Sequence, residues 1–282
     1  MNSCHHRPVR AISTLLPLTA LWACALLTSE PAAAEGIPVP VPIDRSSCGR
    51  LPDYAALKSA LVGAVAQETS GLNLHMWATI VDRNGAVCAV AYSGATRGSQ
   101  WPGSRAISAQ KANTANAFSL DSSSYSNGSG AATGLALSTA NLYSPTQPGG
   151  SLFGLQESNP VDVRVAYELP ASDFGTPADP MVGKAIGGVN VFGGGLGLYA
   201  VGQRIMGAVG VSGDTSCADH RIAWRVRNLL ALDHMSHVGG VSGDATRPDN
   251  IVYLAGGEAP NGFKHPDCGG GDSPSTLPAV QN

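Results

Sequence analysis

Beyond residue 34 the chain carries five histidines, His75, His220, His234, His237 and His265, any of which could serve as a base or a metal ligand. His220 follows Asp219 in the first turns of the last helical pattern and could face a cavity or solvent. His75 stands beside Met76 and Trp77, ahead of a strand. One imidazole in a pocket lined by methionine and aromatic rings would suit a haem. The plainer reading of either residue is a capped or half-buried histidine. His234 and His237 are three apart, a spacing that could share a helix face. No metalloprotease glutamate lies beside them and the helical pattern is ending there, so a loop pair is the plainer reading.

Ser212 is the serine best placed to be a nucleophile. It sits in Gly210-Val-Ser-Gly-Asp214, at a strand-to-helix turn like that of a nucleophile elbow. The segment is not G-x-S-x-G, however, and a tight turn capped by Asp214 explains it equally well. Backbone N–H groups around Gly213 could then hold a carboxylate or another anion. Lys111 is one of four lysines and falls on the apolar stripe of a helical pattern. It either snorkels to water or anchors an anionic group such as a propionate. Gly193 to Gly197 lacks the following helix that a dinucleotide fingerprint needs, and no phosphate-cradling G-x-x-x-x-G-K-[ST] occurs.

The elements that must position these residues follow from pattern. Pro52 and Asp53 open a helix with Leu57, Leu61 and Val65 on one face, and Gly71 is its expected stop. Trp77-Ala-Thr-Ile-Val81 and Ala86-Val-Cys-Ala-Val90 flank Asp82-Arg-Asn-Gly85, which predicts a β-hairpin. Ser104 is the expected cap of an Ala-rich helix that runs to Phe118 and could lie close to a sheet. Residues 119 to 186 are rich in Ser, Asn, Gly and Pro and read as an insertion; Leu135 to Leu142 and Val161 to Tyr167 alone look ordered. Gly187 to Phe192 reads as a strand broken by Gly193-Gly-Gly195. Leu198 to Val201 and Ile205 to Val211 read as a second hairpin. A helix then starts at once, capped by Asp214 or Thr215, with Ile222, Val226, Leu229 and Leu230 on its apolar face and Arg221, Arg225 and Arg227 mostly on its wet faces. Residues 238 to 282 form a Gly/Pro-rich extension with one strand candidate, Asn250 to Leu254. Gly-Val-Ser-Gly-Asp recurs at 240 to 244 and reads as a reused turn. This order predicts an α+β fold, an antiparallel sheet with helices packed on it.

Composition narrows the function classes. The 282 residues are 43% hydrophobic and 13% charged, enough apolar surface for a core and against a disordered chain. The net charge is −3 without a basic cluster, which argues against a nucleic-acid partner. Arg7 and Arg10, the apolar run from Ala11 to Thr28 and Ala32-Ala33-Ala34 form the pattern of a cleaved signal peptide over residues 1–34. Pro17 interrupts the run, so no membrane span is expected once it is cleaved. Leu21-Trp22-Ala23-Cys24 is a poor lipoprotein box because of Trp22. A Pro-rich lead-in follows over 35–50. The expected location is periplasmic or secreted. Four cysteines remain there, Cys48, Cys88, Cys217 and Cys268. Their even number suggests two disulfides, with three connectivities open, and their spacing excludes a Cys-x-x-Cys site.

Several segments together resemble one family. Ser108-Ala-Gln-Lys-Ala-Asn-Thr-Ala-Asn-Ala-Phe118 looks like the KA-x-TA-x-x-F helix of the GlcG/HbpS haem-binding-like family. Ile80-Val-Asp-Arg-Asn-Gly85 resembles its VVD-x-x-G hairpin. Gly187-Gly-Val-Asn-Val191 resembles its GG-x-P-I strand, with Asn190 for Pro. Ile205-Met-Gly-Ala-Val-Gly-Val-Ser-Gly213 resembles its VIGAIGVSG strand. Asp219 before Ile222-Ala223 matches its QD-x-x-IA helix, with Ala218 for Gln. The likeness runs from about Leu51 to Leu232, so the domain is drawn as 51–237, and the tail from Gly262 to Cys268 is like that of a long exported subgroup.

The resemblance implies a profilin-like α/β/α layering, with a central antiparallel sheet and helices packed on its faces, assembled into homo-oligomers. It implies an exported protein that binds, buffers or senses haem without turnover. The ligand-adjacent positions would be Lys111, Ser212, Gly213, Asp219 and His220. His220 or His75 would ligate the iron, although no axial ligand transfers by position. Another small ligand, such as a short hydroxy acid or a corrinoid, is the first alternative. An enzyme or accessory component acting near Ser212 and His220 is the second. The implied fold also places Cys48 near Cys88 and leaves Cys217 for Cys268.

Overall fold

The computed structural model describes residues 47–121, 134–255, 262–269 and 277–282, all within one compact unit. The leader at 1–34 and most of the lead-in at 35–50 lie outside the described residues. Among the described residues, no helix is long and apolar enough to cross a membrane.

The Asn-Gly turn makes the expected hairpin from β1 (Trp77–Asp82) and β2 (Val87–Tyr92). Gly85 adopts φ +81°, the left-handed conformation the turn requires. Asp82 Oδ1 accepts from the N–H groups of Asn84 and Ala86 and so closes the turn. A second hairpin joins β3 (Gly195–Ala200) to β4 (Arg204–Ser212). β4 also pairs with β1, with Trp77 opposite Ser212, giving an antiparallel sheet in the order β2-β1-β4-β3.

The two faces of this sheet are covered differently. α1 (Tyr54–Val65) and α4 (Ser216–Leu229) lie on one face. There Leu57, Leu61, Ile222, Trp224 and Val226 pack against Ile80, Val209 and Val211. α2 (Ser104–Phe118) lies on the other, where Ala109, Ala112 and Ala115 meet Trp77, Val81, Val90 and Ala208. Every residue of β1 is buried because both of its faces are covered. The result is the α/β/α layering.

The Ala-rich α2 lies against the sheet where β4 has no side chain. A Cβ on Gly210 would come within 1.9 Å of the Ser108 carbonyl oxygen and 2.5 Å of the Ala112 nitrogen. The approach of helix to strand is therefore set by a glycine.

Two disulfides staple the layers, Cys48–Cys88 and Cys217–Cys268. The first ties the segment before α1 to β2. The second ties the start of α4 to the C-terminal extension.

Several expectations change. Gly187 to Phe192 is not a sheet strand. Gly187 and Gly188 take positive φ, and the backbone bonds sideways, Asn190 N–H to Thr114 Oγ1 and Asn113 Nδ2 to the Gly188 carbonyl. β3 starts instead at Gly195, where the glycines were read as a break. Ser104 does not cap α2; Gly103 precedes it, and Ser104 is buried in the first turn. α1 ends at Val65, well before Gly71. Asn250 to Leu254 makes only a bridge from Tyr253 to His265. Arg227 is not on a wet face: it is fully buried, bidentate to Asp249 and stacked over Trp224. Arg221 and Arg225 turn inward to Glu68. Residues 134–186 pack as irregular chain around short turns and α3 (Val163–Ala166), held by the buried Arg105–Asp179 pair.

Gly210→Ala should push α2 off the sheet and lower stability by about 2–3 kcal/mol. Urea unfolding measures this, and an unchanged midpoint would mean that the helix does not depend on the gap.

Candidate functional site

Lys111, Ser212, Gly213, Asp219 and His220, five of the residues singled out for chemistry, converge on the start of α4. Thr215 caps this helix, its hydroxyl accepting from Ala218 N–H. Asp214, the other candidate cap, accepts from the N–H groups of Leu72 and Leu74 and so ties the loop before β1 to the helix start. Gly213 continues β4 into this turn, against the backbone of His75 and Met76. Ser212 is buried at the end of β4.

Lys111 reaches across from α2. Its ammonium donates to Asp219 Oδ2 at 2.7 Å and to the Val211 carbonyl at 3.1 Å. Asp219 Oδ1 accepts from Asp214 N–H at 2.9 Å. Both side chains are almost completely buried. Burial pushes the Asp219 carboxyl up to about 6, and the Lys111 ammonium and the Asp214 N–H pull against that rise. Lys111 is therefore neutralised by Asp219 and does not offer a free charge to a propionate.

His220 comes next on the same helix. It is fully buried, and neither ring nitrogen has a hydrogen-bond partner. Its ring lies 6.0 Å from that of Trp224, and Gly193 covers its Cβ. Burial, followed by the charges of Arg227 and His265, holds its imidazole down at about 3; Asn250 opposes this without hydrogen-bond geometry. The ring is neutral and both nitrogens are bare. A neutral imidazole nitrogen is the donor that a metal requires.

His75 lies elsewhere. It is exposed at the entry to β1, with Nδ1 3.2 Å from Ser93 Oγ. Met76 and Trp77 beside it point into the core and build no pocket around it.

The structure adds residues that pattern reading passed over. Ser216 opens α4 and bonds His265 from the C-terminal extension, and Gly193 N–H donates to the same serine. Tyr143 packs edge-on against His265 at 5.3 Å, with the half-exposed Phe192 ring 6.5 Å further on. Burial lowers the His265 value, partly offset by the Pro266 carbonyl. The sulfurs of Cys217 and Cys268 lie close to a His265 nitrogen, but as a disulfide they are not thiolate ligands. The one signal that could have found this pairing is the disulfide, which brings the neighbours of Cys217 and Cys268 together.

A separate apolar groove of about 540 Å³ lies between the start of α1, β2 and residues 176–183. Leu51, Tyr54, Val87 and Pro177 line it together with the Cys48–Cys88 disulfide, and no histidine lines it among the described residues.

The model of the HbpS-like family, described as haem-degrading proteins, matches residues 55–227. The chain belongs to the HbpS-like family. The match spans the sheet, α2 and most of α4, and stops before the extension that carries His265. No curated protein matches the chain. Among solved structures, the Klebsiella pneumoniae protein ORFY is 23% identical over 64% of this chain and 90% of its own, with a TM-score of 0.39. A PduOC–haem complex is 21% identical over 62% and 89%, with a TM-score of 0.39. HbpS is 14% identical over 71% and 99%, with a TM-score of 0.34.

Three substitutions test this geometry. Lys111→Met leaves a buried carboxylate unpaired and should cost about 3–5 kcal/mol. Adding Asp219→Asn should recover part of that loss in a double-mutant cycle; additive losses would show that the two groups act separately. For His220 the sign follows from its depressed value. Below about pH 6.5 the unfolded chain binds a proton that the folded chain refuses, so stability falls as pH drops from about 6.5 towards 3. His220→Asn should therefore shrink the stability lost between pH 7 and pH 5 by about 2 kcal/mol. An unchanged loss would mean that His220 does not titrate in this window.

Proposed function

We propose that this protein is an exported haem-binding protein that binds, buffers or senses haem without turning it over. Family membership supports haem as the ligand class. The observation that carries the site is His220, a buried neutral imidazole with two unpartnered nitrogens at the start of α4. An orphaned buried polar group of this kind costs stability unless a partner offsets it.

The residues present fit the group in donor chemistry. His220 would hold the iron, with Trp224 supplying an aromatic wall and Phe192 and Tyr143 an apolar approach. Haem so bound would supply redox-active iron at His220. Lys111 and Asp219 would fix the helix that presents His220 rather than bind the ligand's charge. Ser212 and Gly213 would shape the turn that precedes it. His75, exposed on the loop side, remains a second possible ligand if a copy of the chain or the ligand covers it. Export is supported by the leader pattern and by the two disulfides, which persist in an oxidising compartment. Assembly into homo-oligomers belongs to the same reading.

Haemin titration of the purified protein tests this. A saturable, red-shifted Soret band is expected, lost in His220→Ala and kept in His75→Ala. The band should persist under reductant and oxygen without release of a bile pigment. Broad, non-saturating absorbance would contradict haem binding, and decay to a bile pigment would contradict binding without turnover.

A further inference from the structure

Ser216 Oγ and His265 Nε2 lie 2.8 Å apart. The other ring nitrogen, Nδ1, is 2.6 Å from the Pro266 carbonyl oxygen. A carbonyl only accepts, so Nδ1 carries the proton of the neutral ring and Nε2 has the free lone pair. The Ser216 hydroxyl therefore donates to Nε2. Gly193 N–H donates to the same oxygen at 2.6 Å, which leaves that oxygen one lone pair. A hydroxyl bonded to an imidazole whose far nitrogen is oriented by a third group is the arrangement of an activated serine nucleophile.

The surroundings suit that role. Ser216 is half-buried and opens a helix of 14 residues, whereas His265 is only 4% exposed. At a helix start the first N–H groups have no intrahelical acceptor. Those of Ser216 and Cys217 have none among the described residues, which leaves two backbone donors at the nucleophile itself and the residue after it to serve an oxyanion. The Cys217–Cys268 disulfide clamps the residue after Ser216 to the segment that carries His265. Gly193 cannot be larger, because a Cβ there would fall 2.2 Å from the Ser216 carbonyl oxygen. Tyr143 and the half-exposed Phe192 form an apolar flank beside the pair.

We propose that Ser216 and His265 are the nucleophile and general base of a hydrolytic site for carboxylic esters with an apolar acyl group. As the Oγ–C bond forms, the Ser216 proton passes to His265 Nε2. The bond to the alcohol then breaks, and the leaving alcohol takes that proton. Water repeats the sequence, its proton going to Nε2 and then to Ser216 Oγ as the acid leaves. The orienting group is a carbonyl, not a carboxylate, so it stabilises the imidazolium less. Esters with good leaving groups are accordingly expected, and amides are not.

The site shares the Tyr143 and Phe192 flank with the haem reading but uses a different reacting pair, and each reading has its own readout. The purified full chain is treated with an alkyl fluorophosphonate and read by intact mass and peptide mapping, then assayed with p-nitrophenyl butyrate. One adduct on Ser216 and saturable ester turnover are expected. Ser216→Ala should abolish both, and His265→Gln should lower kcat by about a hundred- to ten-thousand-fold. Ser158→Ala, an exposed change at a side chain that bonds only its own turn, should alter neither. Labelling of the unsubstituted protein does not depend on whether a variant folds, and melting curves check the variants. No adduct, an adduct elsewhere, or turnover that survives Ser216→Ala overturns the proposal. Protein that binds haemin but takes no label sinks this inference alone; label without haemin binding sinks the haem reading alone.

Discussion

The ion pair between Lys111 and Asp219 is the constraint on which the rest of this structure depends. Taking an ammonium and a carboxylate out of water costs several kcal/mol for each, and their attraction offsets this only when the remaining donors and acceptors are satisfied. Here they are. Lys111 also reaches the Val211 carbonyl at the end of β4, and Asp219 also holds the Asp214 N–H. Asp214 in turn holds the backbone at Leu72 and Leu74. One buried pair thus joins α2, β4, α4 and the loop before β1 across both faces of the sheet. A small slide of any of them would strand a charge. That rigidity fixes where α4 begins, and hence where Ser216 and His220 stand.

Much of the fold was legible because its signals are local. An Asn-Gly turn needs φ above zero, and Gly85 supplies it. The stripes of α1 and α4 repeat at helical spacing, and the alanines of α2 foretell close approach to a sheet. What stayed illegible depends on partners distant in sequence. Gly187 to Phe192 has strand-like residues, but side chains take its backbone groups: Thr114 the Asn190 N–H, Asn113 the Gly188 C=O and Thr139 the Phe192 C=O. Arg227 reads as a surface residue until Asp249 is brought beneath it. Residues 134–186 have no period to read, because turn hydrogen bonds and scattered apolar contacts hold them rather than a regular ladder.

The site divides in the same way. Lys111, Ser212, Gly213, Asp219 and His220 cluster at one helix start because they lie on elements the pattern could identify. Their roles were not legible: whether Lys111 faces a ligand or Asp219 depends on the crossing of α2 and α4. Ser216 and His265 are 49 residues apart, and only the Cys217–Cys268 bridge links them in the sequence. The two bare nitrogens of His220 are a tertiary fact, since they follow from what the surrounding elements fail to provide.

In the proposed haem complex, the start of α4 presents His220 to iron. Anomalous diffraction at the iron edge, from crystals grown with haemin, tests it most directly. An iron peak within bonding distance of a His220 ring nitrogen is the predicted result. An ordered peak in the groove beside Tyr54, or on any other side chain with His220 still unliganded, would contradict it.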